Sequence, residues 1–132
     1  MERTYVMIKP DAYQRGLMGE LIARIERKTY KITSAEMRML DEAILKEHYA
    51  HLVDKPFFPE IVEYLTSGPV LAMIVEGVDV VNGMRMMCGP TDSATADPGT
   101  IRGDFSTSKQ SNLIHASDSL ESAEEEIKRF FG

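Results

Sequence analysis

Apolar side chains recur with two different periods along the chain, and each change of period predicts a new element. Residues 4–9 form a mostly apolar run that stops at Pro10, which cannot donate a ladder hydrogen bond, so this run predicts a first strand. From Leu17 to Ile25 the apolar positions lie three or four residues apart, as on one face of a helix. Residues 32–40 then alternate between apolar and polar side chains, which predicts a second strand.

Caps, prolines and glycines set the remaining boundaries. Asp41 is the predicted N-cap of a helix that runs to about Leu52. The further elements are a helix over residues 60–66, a strand over 70–75, a helix over 78–87, a short strand ending at His115, and a last helix capped by Asp118 or Ser119. This order predicts a single domain over residues 1–132, an α/β sandwich in which helices cover one sheet.

The segment from Gly89 to Ser111 has no sustained period of either kind. It is rich in glycine, proline, threonine, serine and aspartate, and it is longer than most structureless connections in compact domains. Ile101 and Phe105 provide apolar anchors within it. We therefore predict a long ordered loop with a functional role, placed before the last strand.

Composition and charge restrict the class of protein. The chain has 132 residues, 43% of them hydrophobic, and a formal net charge of −6, which fits a folded globular domain and argues against a general affinity for nucleic acid. No apolar run approaches the roughly 20 residues that span a bilayer, and the first residues lack the pattern of a secretory signal. Cys88 is the only cysteine and cannot form an internal disulfide, so we expect a reducing, cytoplasmic setting.

His115 is the most informative candidate for chemistry. Two apolar residues precede it, and hydroxyl side chains and a helix start follow it, which is the layout of an anion site beside a helix N-terminus. A histidine that only bonds to Ser117 or to a backbone carbonyl is an equally simple interpretation of that residue alone. For His48 and His51, which lie on a predicted polar helix around Tyr49, a structural role is the simpler interpretation.

Three cations make the phosphate interpretation sharper. Lys9 ends the first strand, Arg85 lies late in a helix, and Arg102 lies inside the sequence Pro-Gly-Thr-Ile-Arg-Gly-Asp. An arginine in such a loop is better explained as a rigid guanidinium that binds phosphate oxygens than as a solvated side chain, whereas Lys9 could also face water. The chain has no Walker A loop, no dinucleotide fingerprint and no metal-binding cysteine pattern. Phosphoryl chemistry without a protein metal site is therefore favoured.

Several long stretches occur in the order and spacing of one known family. They are residues 3–11, 14–17, 48–50, 55–59, 66–70, 98–105 and the segment around His115. On these stretches the chain resembles the nucleoside diphosphate kinases over essentially its whole length.

The resemblance implies a ferredoxin-like sandwich with a four-stranded antiparallel sheet and additional helices. It implies an enzyme that moves the terminal phosphate of a nucleoside triphosphate to a nucleoside diphosphate by a ping-pong mechanism, through a phosphohistidine at His115. It also implies Mg²⁺ carried by the nucleotide phosphates, and a homo-oligomer, for which a hexamer is favoured over a tetramer.

The resemblance further assigns roles to individual residues. Ser117 and Glu126 match the pair that positions the catalytic imidazole, and Phe57, with Ile61 close by, matches the aromatic side chain on which the base stacks. The positions that bind phosphates or ribose or surround the histidine are matched by Lys9, Tyr49, Arg85, Thr91, Arg102 and Asn112. From the residues alone, one of Phe57 and Phe58 is expected to pack in the core, and Tyr49 could be structural.

The chain departs from the family pattern at several positions. Ala116 and Thr29 replace usual glycines; the alanine is harmless if its φ is negative, and the threonine is strained if a left-handed C-cap persists. Ser106 replaces a third glycine. Ser93 replaces a usual proline in a loop with few neighbouring apolar residues, so we expect Ser93→Pro to make the oligomer more resistant to urea.

Two other functions are open at this point. A non-catalytic nucleotide-binding regulatory module of the same fold should have lost its nucleophile or a phosphate-binding cation, yet His115, Lys9, Arg85 and Arg102 are all present. A nucleic-acid-binding protein should carry a basic stripe, which a net charge of −6 does not favour.

Overall fold

One four-stranded antiparallel sheet forms the centre of the domain. The computed structural model describes all residues 1–132. The strands are β1 (Glu2–Ile8), β2 (Lys31–Arg38), β3 (Val70–Gly77) and β4 (Ile114–Ala116), in the spatial order β2-β3-β1-β4. All three pairings are antiparallel, which confirms the sheet that the family resemblance implies.

Seven α-helices and two 3₁₀ turns connect and cover the strands. The helices are α1 (Pro10–Gln14), α2 (Met18–Arg27), α3 (Glu42–His48), α4 (Phe58–Leu65), α5 (Val80–Cys88), α6 (Ile101–Phe105) and α7 (Leu120–Phe131), and the 3₁₀ turns are Ala50–Leu52 and Ser93–Thr95. The longest helix, α7, has 12 residues, and no helix combines the length and apolar character needed to cross a membrane.

The alternation of side chains along β1 divides the core into two layers. Val6 and Ile8 pack with α2 and α5, whereas Tyr5 and Met7 pack with α3, α4 and α7. His115 is the direct partner of Met7 in the β1–β4 register, and directly opposed residues share a face of the sheet. The register therefore places His115 on the face covered by α3, α4 and α7.

The local signals for helix starts are confirmed. The side chain of Asp41 accepts a hydrogen bond from the Ile44 N–H at 2.9 Å, and that of Ser119 accepts one from the Ser122 N–H at 3.0 Å. The predicted end of the first of these helices is wrong, because α3 stops at His48 and the chain continues into a 3₁₀ turn.

The segment from Gly89 to Ser111 is ordered, and part of it is helical. It contains α6 and the turn at Ser93–Thr95, both too short to show a period in the sequence. Ser93 is buried, and its hydroxyl donates to the Ser108 carbonyl at 3.1 Å. Proline cannot make this contact, so the structure removes the basis for expecting Ser93→Pro to strengthen an oligomer.

The backbone conformation shows the effect of two departures from the family pattern. Thr29 adopts a φ of +70°, so the left-handed position after α2 persists although its residue is β-branched. Ala116 keeps a negative φ inside β4, and its methyl group therefore causes no backbone strain.

Candidate active site

Two adjoining cavities gather most of the candidate residues on one side of the sheet. The larger, about 610 Å³, is lined by Lys9, Tyr49, Phe57, Ile61, Thr91 and Asn112, among others. The smaller, about 200 Å³, is lined by His48, Tyr49, Arg85, His115 and Glu126, among others. Tyr49 lines both cavities, so the two cavities adjoin at this residue.

The imidazole of His115 is anchored through one of its two nitrogens. Its Nε2 lies 2.7 Å from Oε1 of Glu126, and the Ser117 hydroxyl donates to the same oxygen at 2.8 Å. Burial opposes ionisation of Glu126, but its bonds to His115 and Ser117 outweigh burial and lower its pKa. An ionised carboxylate can only accept, so the proton of the neutral imidazole lies on Nε2 and the lone pair lies on Nδ1.

Lys9 lies at the end of β1 and is buried, so the interpretation in which it faces water is wrong. Its ammonium donates to Oδ1 of Asn112 at 2.7 Å. Burial, followed by the positive charge of Arg102, lowers the pKa of Lys9 to about 8. The site thus contains a desolvated cation next to an open cavity, which favours an anionic ligand.

Arg102 is buried and binds backbone oxygens on both sides of the long loop. Its guanidinium donates to the carbonyls of Gly89 at 2.7 Å, Ile114 at 2.6 Å and Asn112 at 3.4 Å. Three of its five N–H groups are therefore engaged, and Arg102 itself lines neither cavity. These bonds tie α6 to the end of α5 and to β4, the strand that carries His115.

The remaining phosphate candidates lie at the rim of the two cavities. Arg85 is exposed near the end of α5 and donates to the Ala116 carbonyl at 3.5 Å, at the limit of a hydrogen bond. The Thr91 carbonyl accepts a similarly long bond, 3.5 Å, from the Asn112 side chain. Both residues are exposed, so a ligand can reach them.

The two neighbouring phenylalanines have different environments. Phe57 is 44% exposed and lines the larger cavity, whereas Phe58 is 6% exposed and packs in the core. The expectation that one of the pair is a core residue is confirmed. Burial raises the pKa of the Tyr49 hydroxyl to about 12, so this group stays neutral at the cavity junction.

The sequence predicts a structural role for His48 on a polar helix, and the structure places its side chain on the buried side of α3. Its side chain is buried, its Nδ1 accepts a bond from Nη1 of Arg129 at 2.8 Å, and its ring centroid lies 5.0 Å from that of His115. Arg129 follows Glu126 by three residues on α7, so both side chains lie on one face of that helix. In the sequence, this spacing is the only signal that connects Arg129 with Glu126.

The cluster of His48, His115 and Glu126 is not a preformed metal site. The candidate ligand atoms lie within 4.8 Å of one another, but Nδ1 of His48 and Nε2 of His115 are already hydrogen-bonded. The cation of Arg129 next to His48 further opposes a metal ion there.

Comparison with known proteins identifies the family of the chain. The family model for nucleoside diphosphate kinase matches residues 2–132. A nucleoside diphosphate kinase of Streptomyces griseus is 52% identical over 131 residues, which covers 98% of this chain and 96% of the relative. The corresponding protein of Thermobifida fusca is 53% identical over 131 residues, covering 99% of this chain and 97% of the relative.

Solved structures are similar over the same length. The nucleoside diphosphate kinase of Encephalitozoon cuniculi has a TM-score of 0.96 at 45% identity and covers 100% of this chain and 90% of its own. That of Halobacterium salinarum, solved in complex with CDP, has a TM-score of 0.95 at 47% identity and covers 98% of this chain and 87% of its own. Because the family model covers all but the first residue and these relatives match over nearly their whole length, the chain belongs to the nucleoside diphosphate kinase family, whose members transfer phosphate between nucleotides.

Proposed function

We propose that the chain transfers the terminal phosphate between nucleotides through a phosphohistidine formed on Nδ1 of His115. The observation that carries this mechanism is the bond from His115 Nε2 to Glu126 at 2.7 Å, which leaves Nδ1 as the free nitrogen. Ser117 bonds the same carboxylate at 2.8 Å and holds it in position. A fixed tautomer is the requirement for a histidine nucleophile.

The proposed reaction has two symmetrical steps. The Nδ1 lone pair attacks the terminal phosphorus of the triphosphate, the N–P bond forms, and the bond to the bridging oxygen breaks to release the diphosphate. A terminal oxygen of the second diphosphate then attacks the phosphohistidine, and the N–P bond breaks. Glu126 accepts the hydrogen bond from the Nε2–H group during both steps, and its negative charge stabilises the positive charge that develops on the phosphorylated ring.

Arg85, Thr91, Arg102 and Lys9 are proposed to bind the phosphates as charge spreads over the phosphoryl oxygens. The lining of the larger cavity supports this role, because it contains Lys9 and Lys109 but no carboxylate. The same lining offers no oxygen cage for a divalent cation. We therefore propose that Mg²⁺ arrives bound to the nucleotide as part of the substrate.

The open part of the larger cavity is proposed to hold the nucleoside. Phe57 exposes its ring there beside Ile61, and base stacking on an aromatic ring tolerates every base. Asn112 and Lys9, bonded to each other at 2.7 Å, line the same cavity and are proposed to contact the ribose or the phosphates. The relative of Halobacterium salinarum was solved in complex with CDP, which supports a nucleotide as the ligand of this chain.

We also propose a cytoplasmic homo-oligomer, with a hexamer favoured over a tetramer. The strand order leaves β2 at an open edge of the sheet, with Met37 and Met39 exposed nearby. Open edges that expose apolar side chains favour pairing with another chain. The buried free thiol of Cys88 fits a reducing compartment.

Incubation with γ-labelled ATP tests the mechanism directly. We expect an acid-labile phosphoprotein that discharges to added nucleoside diphosphate, and no label in His115→Ala, which should still bind nucleotide. Glu126→Ala should retain slow labelling, reduced by roughly 10²–10⁴-fold, because the nucleophile remains but loses its orientation. Binding without labelling in the unmodified chain would indicate the regulatory module instead.

A further inference from the structure

A second histidine lies against the proposed nucleophile, and one helix holds both imidazoles. Glu126 on α7 binds Nε2 of His115 at 2.7 Å, and Arg129, one turn further along α7, donates to Nδ1 of His48 at 2.8 Å. The His48 and His115 rings are nearly perpendicular, at 82°, with centroids 5.0 Å apart. Phe130 and Tyr49 pack on the other sides of the His48 ring.

Arg129 determines the tautomer of the neutral His48 ring. A guanidinium can only donate, so Nδ1 of His48 must keep its lone pair and the proton of the neutral ring lies on Nε2. Arg129 is itself held by Glu47, with Nε 3.6 Å from Oε1. Protonation of Nδ1 would place an N–H against the Arg129 N–H groups, and it would add a second cation to a buried site.

The hydrogen bond to Glu126 leaves one freedom that His48 can remove. A single bond at Nε2 still allows a small rotation of the His115 ring about its Cβ–Cγ bond, and such a rotation would move Nδ1 away from the incoming phosphorus. The perpendicular His48 ring limits this rotation through direct packing. A neutral His48 also adds no charge opposite a His115 ring that becomes positive when phosphorylated.

We infer that His48 is a positioning residue for the phosphotransfer reaction, kept neutral by burial and held as its Nε2–H tautomer by Arg129, so that it orients the His115 ring without opposing its positive charge. This inference rests on the proposed role of His115. It also gives Arg129 a function, since the proposed reaction steps involve Glu126 on α7 but not Arg129.

The charges around His48 agree with a permanently neutral ring. Burial, followed by the charge of His115, lowers the pKa of His48 to about 3, and Arg129 and Lys9 act in the same direction. Glu126 is the one group that opposes this shift. The titratable and charged groups around His48 come from five parts of the fold: His115 and Asp118 from β4 and the turn after it, Glu126 and Arg129 from α7, Lys9 from the end of β1, Arg85 from α5, and its neighbours Glu47, Tyr49 and His51.

The test reverses the charge that fixes His48. In Arg129→Glu a carboxylate replaces the guanidinium and favours protonation of Nδ1, so His48 becomes a cation at moderately acidic pH. We expect the single-turnover rate of His115 phosphorylation, relative to the unmodified chain, to fall about tenfold one pH unit below an ordinary histidine pKa, near pH 5.5, and to recover near pH 8. Nucleotide affinity should change little, because Arg129 lines neither cavity.

Two further variants separate positioning from a general charge or folding effect. Lys128→Glu makes the same change of charge on an exposed neighbouring residue of α7 and should keep the profile of the unmodified chain. Arg129→Glu combined with His48→Phe keeps an aromatic ring but removes the titrating group, so the acid-side loss should disappear. A pH profile unchanged in Arg129→Glu, or an acid-side loss that persists in the double variant, would overturn the inference.

A measurement on the unmodified chain gives an independent answer if a variant fails to fold. The ¹⁵N NMR shifts of His48 should report an unprotonated Nδ1 and a protonated Nε2 from about pH 5 to about pH 9, because burial keeps the ring neutral and Arg129 excludes the Nδ1–H tautomer. Titration of His48 within that range, or a proton on Nδ1, would contradict the inference. Labelling of the unmodified chain and its loss in His115→Ala test the phosphohistidine separately.

Discussion

Lys9 combines a functional position with an unusual ionisation. Burial and the neighbouring Arg102 lower its pKa to about 8, so the ammonium is charged below that pH and loses its proton above it. A bound phosphate favours the charged form and raises the pKa again. The free enzyme and the nucleotide complex should therefore respond differently to alkaline pH.

We expect kcat/KM for the nucleotide to fall as the pH rises through about 8, while kcat holds to a higher pH. The reason is that kcat/KM reports the free enzyme, in which Lys9 becomes neutral, and kcat reports the complex. Steady-state kinetics from about pH 6.5 to about pH 9.5 measure both. Lys9→Arg keeps its charge over this range and should show no such decline, whereas a flat kcat/KM profile in the unmodified chain would refute the assignment.

Arg102 is both a structural and a proposed ligand-binding side chain, and its substitution should reveal two separate losses. Arg102→Lys places one ammonium where three carbonyls were bonded, which should lower the free energy of unfolding by about 2–4 kcal/mol because buried acceptors lose their donors. The rate of phosphotransfer should fall by about 10²-fold or more if Arg102 binds phosphate as proposed, because an ammonium cannot reproduce the planar guanidinium.

Urea unfolding and single-turnover labelling of the folded fraction measure these two effects independently. A loss of stability with an unchanged rate per folded molecule would mean that Arg102 acts through the backbone alone.

The end of α2 stores avoidable strain. Thr29 follows the C-cap Lys28 and adopts a φ of +70°, where a β-branched side chain costs about 1–2 kcal/mol that glycine does not pay. Glycine loses part of this advantage through the greater freedom of the unfolded chain. We therefore expect Thr29→Gly to stabilise the chain by about 1 kcal/mol. Thermal unfolding measures the change, and Thr29→Ala, which keeps a Cβ, should give little of it.

The edge strand β2 and the strand that carries His115 lie at opposite edges of the sheet. The strand order puts β2 at one edge and β4, with His115, at the other, so self-association through β2 leaves the nucleotide cavity open. The net charge of −6 also conceals local order, because Lys9, Arg85 and Arg102 all lie around His115. A negatively charged protein can thereby attract a phosphate at one place.

A charge on the exposed edge should disturb the proposed oligomer without reaching the active site. We expect Met37→Lys to lower the native mass measured by native mass spectrometry, because lysine on an edge strand opposes pairing with a second sheet. Leu120→Lys, a similar change at an exposed apolar residue of α7, is the matched control and should leave the mass unchanged. An unchanged mass in Met37→Lys would exclude β2 as the contact.

The sequence by itself determined the elements whose patterns extend over several turns or alternations. The strands near residues 4–9, 32–40 and 70–75 and the helix after Ser119 were all predictable, because periodicity identifies the buried face of an element. The motif resemblance also identified the sheet type and the family. The short helices α1 and α6 were not predictable, since five residues are too few to show a period.

Only the tertiary structure decided which distant side chains meet. Arg102 could be read as a loop guanidinium, but its three carbonyl partners depend on how α5, α6 and β4 pack together. His48 and His115 are 67 positions apart in the sequence. Their rings meet because α7 packs beside both of them, with Glu126 bonded to His115 and Arg129 bonded to His48. A linear pattern reports burial and local geometry, whereas contacts between elements depend on packing angles and register, which no single segment encodes.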